Sequence, residues 1–109
     1  MNKQKIIFHQ ITKVVMTAAG AIRGEFIGNS YFSFKGIPYG EAPVGNLRFQ
    51  DPLPRQKWTG VLNTLKHGNF CPNKFGFFGL TQQAGGAEDC LHLNVYTPCL
   101  KGKRAVMLW

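Results

Sequence analysis

In several short stretches of this 109-residue chain, apolar residues are interrupted by single polar residues or glycine and are bounded by turn residues. This pattern is typical of short β-strands. It predicts strands over residues 13–16, 21–27 and 31–37, with a turn at 17–20 and a chain reversal that starts at 28–30. Together these segments predict an antiparallel β-meander.

The clearest alternation lies in residues 91–96, where leucine or valine alternates with histidine, asparagine or tyrosine. Pro98 lacks a backbone N–H, so it is expected to end this strand. Cys90 therefore lies at a predicted strand entrance. His92 falls on the strand face opposite Leu91 and Leu93.

The segments between and after these strands have other sequence patterns, which predict loops, a helical turn and a further strand. Residues 38–63 are rich in proline and glycine and predict an ordered loop, and 62–70 predicts a short helical turn. Residues 72–89 combine glycines with phenylalanines, which favours a compact surface loop. The apolar run 105–109, after the polar turn 101–104, reads as a buried central strand.

Composition and charge narrow the class of protein. With 44% hydrophobic and 17% charged residues, the chain has the composition of a globular domain. Its net charge of +8 suits nucleic acid, yet the basic residues are scattered, and the longest basic run is Lys103-Arg104. We therefore expect no nucleic-acid partner.

The chain shows no targeting or membrane segment. The apolar stretch within residues 1–10 is too short for a signal-peptide core, and no run reaches the length of a transmembrane helix. We expect no membrane span. For the compartment two options stay open: a cytoplasmic protein, or a secreted protein whose start is placed wrongly.

Two sequence blocks carry a resemblance to a known family. Residues 34–49 (FKGIPYGEAPVGNLRF) and 88–98 (EDCLHLNVYTP) resemble the N-terminal region of the type-B carboxylesterase and cholinesterase family. The resemblance covers about residues 14–109, and Trp58 and Cys71 also fall where the family has them.

The resemblance implies an α/β fold, namely the N-terminal part of an α/β-hydrolase. This part is expected to be loop-rich, with the antiparallel β-meander and the first strands of the central sheet. Because family members are several times longer, residues 1–109 are expected to be a partial carboxylesterase type-B domain. That domain would be truncated just before the loop that forms the oxyanion hole.

The resemblance also implies a function. A full-length member would hydrolyse small-molecule carboxylic esters through an acyl-serine intermediate, with no cofactor. The nucleophile, acid, base and oxyanion hole all lie beyond the position that matches Trp109, so the chain itself is expected to be inactive. The alternative is a piece of a catalytically dead relative that serves in adhesion or binding.

Serines within the chain do not replace the missing nucleophile. Residues 28–32 (GNSYF) nearly match the Gly-x-Ser-x-Gly nucleophile elbow, but Phe32 replaces the second glycine. Ser30 is therefore expected to be a turn residue. Ser33 falls on a predicted strand.

The family joins the cysteines at the positions of Cys71 and Cys90 by a disulfide. Such a bond would close a loop with eighteen intervening residues, which stabilises by about 3 kcal/mol in the chain-entropy model. The alternative is two free cysteines in a reducing cytosol. Cys99 is left as an unpaired thiol.

The family also pairs an arginine with a glutamate at the positions of Arg48 and Glu88. A guanidinium is able to hold a carboxylate through two parallel hydrogen bonds. We expect a structural salt bridge that ties the Leu-Arg-Phe loop to the base of the disulfide loop. The alternative is two solvated charges.

Three aromatic residues, Phe75, Phe77 and Phe78, would line the mouth of an apolar ester-binding gorge or would pack under their own loop. Residues 72–89 contain no tryptophan, whereas cholinesterases place a choline-binding tryptophan in this loop. A general carboxylesterase, of the insect detoxifying or hormone-ester type, fits better.

A metal site is not expected. His67 with Cys71, and Cys90 with His92, supply zinc-ligand types but lack the usual ligand spacing.

Overall fold

The computed structural model describes residues 11–73 and 85–109. Its elements, in chain order, are β1 (Ile11–Met16), β2 (Ala21–Ile27), β3 (Tyr31–Pro38), a 3₁₀ helix (Gly45–Leu47), β4 (Val61–Asn63) and β5 (His92–Thr97).

The first three strands form the predicted antiparallel meander, with β2 between β1 and β3. The β1–β2 turn is closed by hydrogen bonds in both directions between the backbones of Thr17 and Gly20. The β2–β3 turn is closed by the N–H of Ser30, which donates to the carbonyl oxygen of Ile27 at 2.9 Å. β5 adds antiparallel to β3 and ends before Pro98, as the sequence predicts.

One edge of β2 is shared by two strands. β3 pairs with Glu25 to Ile27, at the end of β2, and β4 runs parallel to its beginning, with Ala21 opposite Val61 and Arg23 opposite Asn63. The chain after β4 thus enters the gap that opens where β2 and β3 diverge.

β3 carries an irregularity between Phe34 and Ile37, where its register with β5 shifts. Gly36 lies there with φ +71°, a conformation that disfavours residues with a Cβ. A Cβ on Gly36 would also lie only 2.7 Å from the carbonyl oxygen of Lys66. The Gly36 N–H donates to the Asn94 side chain at 3.0 Å, so the bulge is tied to β5.

A small core lies where β2 and β3 meet. The buried apolar side chains of the described residues are Ala21, Ile22 and Phe34. Gly24 leaves room for the Phe34 ring, because a Cβ there would lie 2.5 Å from it. At the end of the β1–β2 hairpin, the indole N–H of Trp58 donates to the carbonyl oxygen of Ala21 at 2.9 Å.

Three expectations were wrong. The predicted loop 38–63 contains the 3₁₀ helix and ends in β4. The segment 62–70 forms no helix: it begins in β4, and backbone hydrogen bonds to Arg23 and Lys35 hold it extended at Thr64. Residues 105–109 form no strand, and Trp109 is 95% exposed. In the part of the chain that the structure describes, no strand lies beside this run to bury it.

Candidate functional site

A disulfide joins Cys71 to Cys90, with the Cα atoms 5.1 Å apart. This confirms the pairing that the family resemblance implied. Just inside the bond, the backbones of Asn73 and Gly85 exchange two hydrogen bonds of 3.0 and 3.1 Å, and the N–H of Ala87 donates to the carbonyl oxygen of Phe70. The base of the loop is therefore held by hydrogen bonds as well as by the covalent link.

Arg48 and Glu88 are brought into contact. Arg48 follows the 3₁₀ helix, and its Nε lies 2.6 Å from Oε1 of Glu88. The two side chains are 54% and 44% exposed, so water screens the pair. The contact links the loop around residues 44–50 to the base of the disulfide loop.

Glu41 organises the loop between β3 and β4, a role that sequence reasoning missed. Its backbone N–H donates to the carbonyl oxygen of Leu53 at 2.9 Å. Its carboxylate accepts from the backbone N–H of Gln56 at 2.6 Å and from the Arg55 guanidinium at 3.4 Å. No local motif predicts these contacts, because the partners lie twelve to fifteen residues away.

An apolar cleft of about 210 Å³ lies beside this loop. Leu47, Leu53 and Leu91 supply much of its lining, together with the carboxylate-bearing residues Glu41 and Asp51. Leu91 directly follows Cys90, so the disulfide is one residue away from the wall of the cleft.

The serines lie in settings that fit no nucleophile elbow. Ser30 is exposed in the β2–β3 turn, and Ser33 is wholly buried in β3, where its hydroxyl has no hydrogen-bond partner. A nucleophile elbow needs an exposed hydroxyl on a strand-to-helix turn.

The histidines lie apart from any metal cluster. His67 is exposed, whereas His92 is half-buried against Gly68, where a Cβ would lie 2.5 Å from the imidazole. Within residues 11–73 and 85–109, no three histidine, cysteine or acidic side chains are grouped closely enough to hold a metal ion. The same residues include no helix long and apolar enough to cross a membrane.

The remaining cysteine, Cys99, is a free and exposed thiol in the turn after β5. A hydrogen bond from the backbone of Lys101 lowers the pKa of this thiol, and the Arg104 side chain lowers it further. The predicted gorge-lining residues Phe75, Phe77 and Phe78 lie outside the described residues.

A strand-rich sheet with almost no helix, followed by a disulfide-closed loop and a further sheet strand, is the amino-terminal part of the α/β-hydrolase fold. The family model for carboxylesterases matches residues 11–109, and the chain belongs to the carboxylesterase family.

Curated relatives carry esterase names. Juvenile hormone esterase of Tribolium castaneum is 43% identical over 95 residues, which cover 84% of this chain and 16% of that protein. Esterase E4 of Myzus persicae is 46% identical over 83 residues, covering 75% of this chain and 14% of the relative. The mouse cholinesterase is 36% identical over 108 residues, which cover 88% of this chain and 18% of that protein.

Solved structures agree on the fold. The Geobacillus stearothermophilus carboxylesterase EST55 superposes with a TM-score of 0.70 at 37% identity, over 84% of this chain and 17% of that chain. The chain thus spans about a sixth of the length of the carboxylesterases it matches.

Proposed function

We propose that this chain is the front part of a serine carboxylesterase domain, which hydrolyses carboxylic esters through an acyl-serine intermediate. The observation that carries the proposal is the continuous family match over residues 11–109, at 43% identity to a juvenile hormone esterase. The fold neighbours support it, since they are carboxylesterases too.

The chain's own part in this activity is to build and hold the loop between Cys71 and Cys90. The disulfide closes the loop, and the contact between Arg48 and Glu88 fixes its base against the preceding loop. In the proposed enzyme, Phe75, Phe77 and Phe78 line the entrance to the ester site. Nucleophile, acid, base and oxyanion hole come from downstream residues.

The proposed substrate is a small, uncharged carboxylic ester rather than a choline ester. A choline headgroup is recognised by cation–π contact with the face of an aromatic ring, and the tryptophan ring makes the strongest such contact. Residues 72–89 contain no tryptophan. The 43% identity to a hormone esterase, against 36% to a cholinesterase, supports the same choice.

The test is an assay of two purified proteins, residues 1–109 and the longest product of the native transcript. Both are given a chromogenic short-chain ester and butyrylthiocholine, and a tagged organophosphate is used to label an activated serine. We expect the longer product to hydrolyse the uncharged ester and to be labelled at one serine downstream of residue 109. Residues 1–109 are expected to do neither.

Two results would count against the proposal. A longer product with neither turnover nor labelled serine would favour the non-catalytic binding relative. Turnover by residues 1–109 that survives a combined Ser30→Ala and Ser33→Ala change would show a catalytic centre of another kind within the chain.

A further inference from the structure

Phe49 adopts a backbone conformation that phenylalanine rarely takes. Its φ is +59°, and it follows Arg48 with φ −63° and ψ 132°. The N–H of Gln50 donates to the carbonyl oxygen of Leu47 at 3.3 Å. These values describe a type II β-turn over residues 47–50, whose third position normally requires glycine or asparagine. A bulky side chain at that position is strained.

The aromatic ring of Phe49 is also exposed to solvent. Phe49 is 95% exposed. Its neighbour Arg48 places the guanidinium carbon 5.5 Å from the ring centroid, and Arg48 is itself held by Glu88. Strain and exposure of an aromatic ring are both unfavourable, and the exposed cation–π contact with Arg48 offsets them only in part.

The turn stands at the edge of an apolar surface. Its first and last residues, Leu47 and Gln50, both line the cleft described above. Tyr39 and Leu53, from the neighbouring loop segments, are 54% and 48% exposed. A projecting aromatic ring beside an apolar cleft is typical of an anchor residue at an interface.

We propose that Phe49 is the anchor that docks this turn onto the downstream part of the same polypeptide. The inference rests on the proposed function, because it requires the chain to continue as a carboxylesterase. The matched relatives support this occupant, since this chain spans only 14% to 18% of their length. The small core, with three buried apolar side chains in the described part, points the same way.

The side chains of Phe49 and Arg48 indicate the composition of the pocket that would bind them. The Phe49 ring has no polar group, so its pocket consists of aliphatic and aromatic side chains. The Arg48 guanidinium beside it still has donors to give, which calls for carbonyl or carboxylate oxygens at the rim of that pocket.

The experiment compares two glycine substitutions in the longer product of the native transcript. Asn29 is the matched control, because it is exposed in a turn and has φ +53°. Glycine relieves strain at both positions, so Asn29→Gly should leave the melting temperature unchanged or raise it. Phe49→Gly should lower it by several degrees, because the loss of an anchor outweighs the relief of strain.

A second measurement needs no substitution. Hydroxyl-radical footprinting of the longer product should show Phe49 protected at least about tenfold relative to a free phenylalanine, as a fully buried anchor requires. An unprotected ring together with a Phe49→Gly variant as stable as Asn29→Gly would overturn the proposal. A dimer that forms with concentration and is abolished by Phe49→Gly would also overturn it, and would assign the ring to a second copy.

The same preparation separates this inference from the proposed function. Esterase turnover, together with an unprotected Phe49 and a Phe49→Gly variant as stable as Asn29→Gly, overturns only the anchor. A protected Phe49 in a protein without turnover or a labelled serine supports the anchor and overturns the proposed activity.

Discussion

The carbonyl oxygen of Thr64 accepts a hydrogen bond from the backbone N–H of Lys35 at 2.7 Å. On its other side, the N–H and the Oγ1 hydroxyl of Thr64 both donate to the carbonyl oxygen of Arg23, at 2.8 and 2.9 Å. Thr64 is wholly buried. It therefore bridges β2 and β3 at the point where the two strands stop pairing with each other.

Replacing Thr64 with valine should lower the free energy of unfolding by about 1 kcal/mol, since the change keeps the shape but removes a buried hydroxyl bond. Urea denaturation followed by circular dichroism measures the difference. Thr59→Val, at an exposed position just before β4, serves as the control and should change little. A Thr64→Val variant of unchanged stability would mean that the two backbone bonds alone hold the junction.

Arg48 and Glu88 should show a small but measurable coupling in a double-mutant cycle of Arg48→Ala and Glu88→Gln. We expect about 0.5 kcal/mol, because both side chains are about half exposed and solvent weakens the attraction. The Arg55 and Glu41 pair provides a comparison: its contact is longer at 3.4 Å, but its side chains are only 38% and 23% exposed, so we expect a coupling of similar size. Raising the salt concentration should shrink the Arg48–Glu88 coupling, and a coupling that salt leaves unchanged would contradict its electrostatic origin.

Loss of the Cys71–Cys90 disulfide should lower the free energy of unfolding by about 3 kcal/mol, the value expected for closing a loop of this length. The double variant Cys71→Ala and Cys90→Ala tests this by urea denaturation under non-reducing conditions. Cys99→Ser is the matched control, because Cys99 forms no disulfide. Equal stability of the double variant and the wild type would show that the backbone hydrogen bonds at the loop base suffice.

Cys99 should react with iodoacetamide at lower pH than an unstructured cysteine. The hydrogen bond from Lys101 and the charge of Arg104 favour the thiolate and lower the pKa of Cys99, so more thiolate is present at any given pH below the ordinary cysteine pKa. The midpoint of the rate–pH profile should therefore shift downward. Arg104→Gln should move the midpoint part of the way back. An unchanged midpoint would show that Arg104 does not lower the pKa of Cys99.

Sequence patterns predicted the strands that are long and bounded by turn residues, such as β2 and β5. In β5 only the residue types alternate, because Leu93 and Val95 are still 37% and 40% exposed. β4 was missed since three residues are too few to show a period, and its partner β2 lies more than thirty residues earlier. The same distant pairing explains why residues 62–70 do not form a helix.

The candidate site was predictable only where the family motifs supplied it. The disulfide between Cys71 and Cys90 came from that resemblance, since the spacing of the cysteines does not fix their pairing. Phe49 could not have been found by pattern, because turn chemistry places glycine or asparagine at a left-handed position and gives no reason to expect phenylalanine there. Glu41 was missed because its partners are set by tertiary structure.

Because two strands share one edge of β2, this strand pairs with three others in the sheet. Its amides and carbonyls are bonded to β1 along one side and to β3 and β4 in succession along the other. Among the described residues, opening β2 requires three pairings to break together, whereas β1 is paired with β2 alone. We therefore expect the amide protons of β2 to exchange with solvent later than those of β1.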